Sequence, residues 1–99
     1  MSQSRAAYRV DANQPAIVRA LRSIGASVTV TAGLGDGYPD LSVGYHGINY
    51  LFEVKTPTKA ALTDDERTWH ADWQGTVHIV TSPEQAIEIV RTNPHELQY

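Results

Sequence analysis

Three side chains near the middle of the 99-residue chain stand at a spacing that can do chemistry: Asp40, Glu53 and Lys55. Two carboxylates can share an oxygen-seeking cation such as Mg²⁺, which fills the rest of its shell with water and substrate phosphate. A lysine beside them can orient an attacking water and offset charge developing on a phosphate. The surrounding pattern brings the three together. Leu41, Val43 and Tyr45 alternate with Asp40, Ser42 and Gly44, and Tyr50, Phe52 and Val54 alternate with Leu51, Glu53 and Lys55. Each run reads as a strand, and alternate side chains of a strand share a face. A two-residue turn at His46-Gly47 pairs Tyr45 with Ile48 and, five residues further out, Asp40 with Glu53. Directly opposed residues of an antiparallel pair have Cβ atoms about 4.5–5.5 Å apart, so the two acids repel unless a cation or a proton intervenes.

Plainer readings exist for each group. Asp40 follows Pro39 and can start a turn. Glu53 and Lys55 can form a solvent-facing pair on a half-exposed strand, and Lys55 can serve only to offset the acids. Against these stand the disfavour of strands for Asp and the cost of opposing two acids without a partner.

At these residues the chain resembles the PD-(D/E)XK nuclease superfamily and, within it, the small VRR-NUC domain. Pro39-Asp40 corresponds to the first half of the motif and Glu53-Val54-Lys55 to the second. The likeness runs over roughly residues 11 to 90. It takes in Gln14-x-x-Ile17-Val18-x-x-Leu21 and Leu62-Thr63-x-x-Glu66-x-x-Trp69. The resemblance implies an α/β fold with a restriction-endonuclease-like core, a mixed sheet flanked by helices in the order α-β-β-β-α-β-α. It implies a metal-dependent endonuclease that hydrolyses phosphodiester bonds in branched DNA such as Holliday junctions, working as a homodimer. Asp40, Glu53 and the Val54 carbonyl would hold Mg²⁺ or Mn²⁺, and Lys55 would position the nucleophile.

The chain departs from that pattern at three places. Asp36 stands where the family often has a basic residue before the glycine of its G-x-P-D element. Gln14 occupies the place of a helix-borne glutamate; it either ligates through its amide oxygen or is a polar first-turn residue. Glu66 stands where relatives often carry Gln, and it either faces the site or folds back as a cap on Thr63. Arg5, Arg9 and Lys59 flank the first helix and the loop after Lys55, and are expected beside the DNA phosphates. The competing expectation is a protein that keeps the nuclease fold, has lost catalysis, and binds DNA or a protein partner.

Composition sets limits on both. A chain of this length makes one domain with a single core, residues 1–10 being too polar to be more than loosely ordered. There is no cysteine, hence neither disulfide nor thiolate metal site. His46, His70, His78 and His95 lack zinc-ligand spacing. No apolar run is long enough to span a membrane, and Met1 to Arg5 lacks the apolar segment of a signal peptide, so a cytoplasmic protein is expected. The net charge of −3 opposes a generic nucleic-acid coat. The charge is uneven: residues 1–35 hold four bases and one acid, residues 36–99 four bases and ten acids. The run Gly33-x-Gly35-x-Gly37 lacks the Gly-Lys-Ser/Thr ending of a phosphate loop and reads as a turn beside the site.

The positioning elements follow from periodicity. A helix starts between Asp11 and Asn13, with Pro15 in its first turn, Ile17, Val18, Leu21 and Ile24 as its apolar stripe, and Gly25 at its end. Val28 to Thr31 is a β-branched strand. Thr63 and Glu66 make a capping box for a second helix that ends at Gly75, with Trp69 and Trp73 expected on the sheet as core residues. Val77 to Val80 is another strand. Ser82 starts a last helix with Ala86, Ile87 and Val90 inward, stopped by Asn93-Pro94.

Overall fold

The computed structural model describes residues 11–58 and 61–92. The expected looseness of residues 1–10 and the Asn93-Pro94 stop lie outside that range. Within it the chain runs helix α1 (Gln14–Ser23), strand β1 (Ser27–Val30), a 3₁₀ turn (Ala32–Leu34), β2 (Leu41–Tyr45), β3 (Ile48–Val54), α2 (Asp64–Asp72), β4 (His78–Val80) and α3 (Pro83–Arg91). The four strands form one mixed sheet in the order β1-β2-β3-β4. β1, β2 and β3 are antiparallel in turn, and β4 joins β3 in parallel. A parallel neighbour needs a crossover connection, and α2 lies within it. The chain is therefore a small α/β protein in the order of elements expected.

The hairpin register is the one anticipated: Leu41 pairs with Phe52, Val43 with Tyr50 and Tyr45 with Ile48. His46 (φ 50°) and Gly47 (φ 82°) both take left-handed backbone. Two such residues make the hairpin turn whose twist matches that of the flanking strands. One face of the sheet carries Leu41, Val43, Tyr50, Phe52, Val54 and Val80, all buried. Against it pack Ile17, Val18 and Leu21 of α1 and Ala86 and Val90 of α3. Each such side chain, when fully buried, contributes about 1.5–3 kcal/mol from loss of apolar surface to water. The Tyr50 hydroxyl donates to the Val90 carbonyl at 3.4 Å, joining sheet and α3 inside the core.

The opposite face is mostly polar and open along Ser27, Thr29, Ser42, Gly44 and Asn49, and α2 reaches it only at the Glu53 end. Here the structure corrects one expectation. Trp69 and Trp73 are not core residues: α2 buries no residue, and Trp73 is 44% exposed. The two indoles stack on each other at 4.5 Å, and Trp69 meets Tyr38 edge-on at 5.1 Å. The pair turns toward the Gly35–Tyr38 loop, because the helix offers Glu66 and His70, one turn apart, to the sheet instead.

That loop sets how closely α2 can approach. Gly37 has φ 85°, and a Cβ added there would collide with the Asp65 carbonyl and stand 3.0 Å from Trp69 Cβ. Gly25, which ends α1 with φ 96°, has nothing within 4 Å of the same position. Gly25→Ala should therefore cost only left-handed strain, about 1–2 kcal/mol. Gly37→Ala should cost that strain and a backbone collision besides, and should lower the melting temperature by clearly more. Equal losses in thermal unfolding of the two variants would show that α2 does not bear on Gly37.

Candidate metal centre

The site is built where the three antiparallel strands, α1 and α2 meet. Asp40 lies one residue before β2 and is tied from both sides. Its carbonyl accepts the Thr31 N–H at 2.7 Å, while Thr31 Oγ1 donates to the Pro39 carbonyl at 2.8 Å. Its carboxylate Oδ2 accepts the Val54 N–H at 2.8 Å. The β2–β3 register, carried one residue past Leu41 and Phe52, sets Asp40 across from Glu53. Beyond Val54, Lys55 N–H donates to the Val80 carbonyl at 3.0 Å. Asn13, at the head of α1, gives its Nδ2 to the Lys55 carbonyl at 3.0 Å and the Thr81 carbonyl at 2.8 Å. One amide thus latches the start of α1 across the ends of β3 and β4.

Burial decides against the plainer reading of Glu53 and Lys55. Glu53 is 1% exposed and Lys55 9%, so they are no solvent-facing pair. Lys55 Nζ donates to Glu66 Oε1 at 2.6 Å and lies 3.7 Å from Glu53 Oε2. Glu66 does both things open to it. The same Oε1 accepts the Thr63 N–H at 2.9 Å, and Thr63 Oγ1 accepts the Glu66 N–H, completing the capping box. Asp11, Asp40, Glu53, Val54, Lys55 and Glu66 surround a cavity of about 180 Å³. The sequence marked Asp11 and Asn13 only as the start of the first helix, not as residues of the site. A polar residue just before a helix reads as a cap, and nothing local shows that it faces a distant strand.

Electrostatics follow from this geometry. Burial, with the Asp40 charge beside it and hydrogen bonding to Glu66 and Asp40, pushes the Glu53 carboxyl up to about 10. Burial also raises Asp40, though the Val54 hydrogen bond holds it back. For Lys55 burial pulls downward, but the Glu66 carboxylate outweighs it and holds the ammonium above its usual range. Glu66 goes the other way: burial would raise it, and the hydrogen bond from Lys55 brings it below the ordinary range. Burial lowers His70. Near neutrality the pocket thus holds a charged Lys55–Glu66 pair and a protonated Glu53.

The expected auxiliary and contact residues fare differently. Gln14 is 4% exposed with its Oε1 unpartnered, but it does not line the acidic cavity. Arg5, Arg9 and Lys59 lie outside the described residues. Among the described residues no group of three or more His, Cys, Asp or Glu side chains is placed to enclose a metal ion. What the site offers a cation is an all-oxygen edge, the carboxyl groups of Asp40 and Glu53 with a third acid, Asp11, on the same cavity wall; Glu53 Oε1 is buried without a hydrogen-bond partner. That donor set suits a hard ion that keeps several waters.

A carboxyl raised when folded makes stability depend on pH. The folded chain keeps a proton on Glu53 that the unfolded chain releases above its ordinary value of 4.5. In EDTA the stability is fully present below that value, declines as pH rises above it and is lost by about 10, at no more than about 1.4 kcal/mol per pH unit. Glu53→Gln removes the proton from the balance. It should be more stable than the wild type at pH 8, with the gap narrowing toward pH 5. Denaturant unfolding at several pH values checks this; parallel profiles for the two proteins would contradict it.

No protein-family model, curated protein or solved structure matches this chain.

Proposed function

We propose that the protein is a divalent-metal-dependent nuclease, with the restriction-endonuclease-like arrangement of Pro39-Asp40 and Glu53-Val54-Lys55 as its catalytic edge. The observation that carries this reading is Glu53: a carboxyl 1% exposed, beside a second buried acid, with one oxygen lacking any hydrogen-bond partner. A chain does not keep such a group for stability, since burying an acid against an acid is costly. A cation shared with Asp40 would relieve that repulsion. Asp40, Glu53 and the Val54 carbonyl would hold Mg²⁺ or Mn²⁺, with Asp11 close enough to add charge from the same cavity wall. Bound there, such an ion polarises a scissile phosphate and lowers the pKa of a bound water.

The chain's own groups do the rest. Lys55 stays charged, so it is an electrostatic and positioning group rather than the base that removes the water proton. Its Nζ is fixed by Glu66 at 2.6 Å on the cavity wall, where it would offset charge developing on a phosphate. The Asp40 oxygen bonded to Val54 N–H keeps that carboxylate in one orientation whether or not an ion is bound. The substrate in this proposal is branched DNA, cut by a homodimer whose two-fold axis presents two sites to related strands. Arg5, Arg9 and Lys59 would supply the phosphate contacts. The reading that competes is a non-catalytic DNA- or protein-binding relative of the same fold. The acidity of the surface favours it, as does Gln14, a neutral residue set apart from the cavity.

The test is calorimetric Mn²⁺ titration together with cleavage of a four-way junction in Mg²⁺ or Mn²⁺, with and without EDTA. Asp40→Asn and Glu53→Gln should each weaken Mn²⁺ binding by at least about tenfold and abolish cutting. Lys55→Ala should leave Mn²⁺ affinity nearly unchanged and lower turnover by about 10²–10³-fold. Because the ion must displace the Glu53 proton, wild-type affinity should rise about tenfold per pH unit between pH 6 and 8. Full activity in either acid variant would refute the metal reading. A wild type that binds Mn²⁺ but cuts no DNA form would favour the non-catalytic relative.

A further inference from the structure

Resting on the metal-nuclease reading, we infer that His70 is the positioning residue for Glu53, donating from Nε2 to Oε1 and so turning the carboxylate toward the ion. Two polar atoms in this protein face each other without satisfying one another. Glu53 Oε1 and His70 Nε2 are both buried, both lack a hydrogen-bond partner among the described residues, and stand 3.8 Å apart. Their side chains are 2% and 15% exposed. Buried polar atoms are nearly always paired, and an exception in a native site calls for a cause. Here the two orphans supply each other's need: an approach of less than about 1 Å makes an ordinary N–H···O bond.

The placement of His70 follows from the same helix that holds Lys55. Glu66 and His70 are four residues apart on α2, hence on one face. Glu66 reaches Lys55 and His70 reaches Glu53, so one turn of helix addresses both members of the Glu53-x-Lys55 pair. Trp69, stacked on Trp73 and edge-on to Tyr38, also meets the His70 ring edge-on at 6.2 Å. The role differs from that of Asp40. Asp40 takes its orientation from a backbone N–H that the hairpin supplies; among the described residues no backbone donor reaches Glu53 Oε1, which leaves the bond to a side chain. Outer hydrogen bonds of this kind fix a ligating carboxylate, and their loss weakens metal binding about 10–100-fold.

The experiment compares wild type, His70→Ala and His70→Gln by calorimetric titration with Mn²⁺ and separately with Mg²⁺, by thermal unfolding in EDTA, and by junction cleavage across a range of Mn²⁺ concentrations. In His70→Ala the affinity for both ions should fall about 10–100-fold, and the Mn²⁺ concentration needed for half-maximal cutting should rise in step. The rate at saturating Mn²⁺ should stay within a few-fold of wild type. His70→Gln, which keeps an N–H donor near the same place, should recover most of the affinity. Unchanged affinity with a lowered melting temperature in EDTA would reduce His70 to a packing residue and overturn the proposal. A loss confined to Mn²⁺ would make the imidazole a ligand of the ion itself, and would equally overturn it. A wild type that binds neither ion would overturn the metal reading on its own, before any His70 variant is consulted.

Discussion

The structure turns on one unfavourable burial. Glu53 sits in the centre of a sheet, under a helix, with a second carboxyl across the hairpin. Two charges of like sign about 4 Å apart repel by about 4 kcal/mol even at an effective dielectric near 20. The chain meets this with everything around it. A proton stays on Glu53, the Val54 N–H binds Asp40, and Lys55 stands within 3.7 Å of Glu53. The supports are placed with the same economy: Thr31 holds the Asp40 backbone, and Asn13 closes the ends of β3 and β4. Nothing in the hydrophobic core requires a carboxylate there. The opposite face of β3, with Tyr50, Phe52 and Val54, already anchors the strand.

Charge outside the site limits how a polyanion could approach. The described residues carry ten acids and five bases. Asp36, Asp65 and Asp72 gather around the Trp69–Trp73 stack, and Asp36 and Asp65 also border the groove that leads from the glycine loop to Asp40. That wall repels phosphate. In the nuclease reading DNA must therefore reach Lys55 from the side of Asp11 and the end of β3. Arg9 precedes Asp11 by two residues in sequence, and Lys59 follows Lys55 by four. Asp11 and Lys55 both line the cavity.

Much of this was legible in the sequence because it rests on local rules. A period of two, with a turn that tolerates left-handed backbone at His46-Gly47, fixes the register, and the register alone sets Asp40 across from Glu53. The Thr63–Glu66 capping box likewise needs only spacing. What escaped was tertiary. Alternation assigns Glu53 to the outer face of β3, and only the arrival of α2 makes that face a buried one. Two tryptophans one turn apart signal an apolar stripe without saying what it meets; here they meet each other and Tyr38. His70 shows no ligand spacing because its partner is seventeen residues away on another element. Asn13 reaches across 42 and 68 residues to the ends of distant strands, a separation that no periodicity reports.

The way α2 is attached ties these observations together. A crossover helix usually lays an apolar stripe on its sheet and stays there for the sake of buried area. α2 buries no residue, and what it presents to the sheet is a carboxylate and an imidazole. Its docking thus depends on the state of the groups beneath it. Lys55 holds Glu66 through a short charged hydrogen bond, but the contact from His70 to Glu53, at 3.8 Å, is open by about 0.6 Å beyond hydrogen-bond reach. Under the metal reading Glu53 would be a full carboxylate, the stronger acceptor, and the second contact would close where the first already holds. Helix and site would then be coupled, a well-placed α2 favouring the ionised Glu53. A purely apolar docking face would have secured the helix more firmly and left it indifferent to the site.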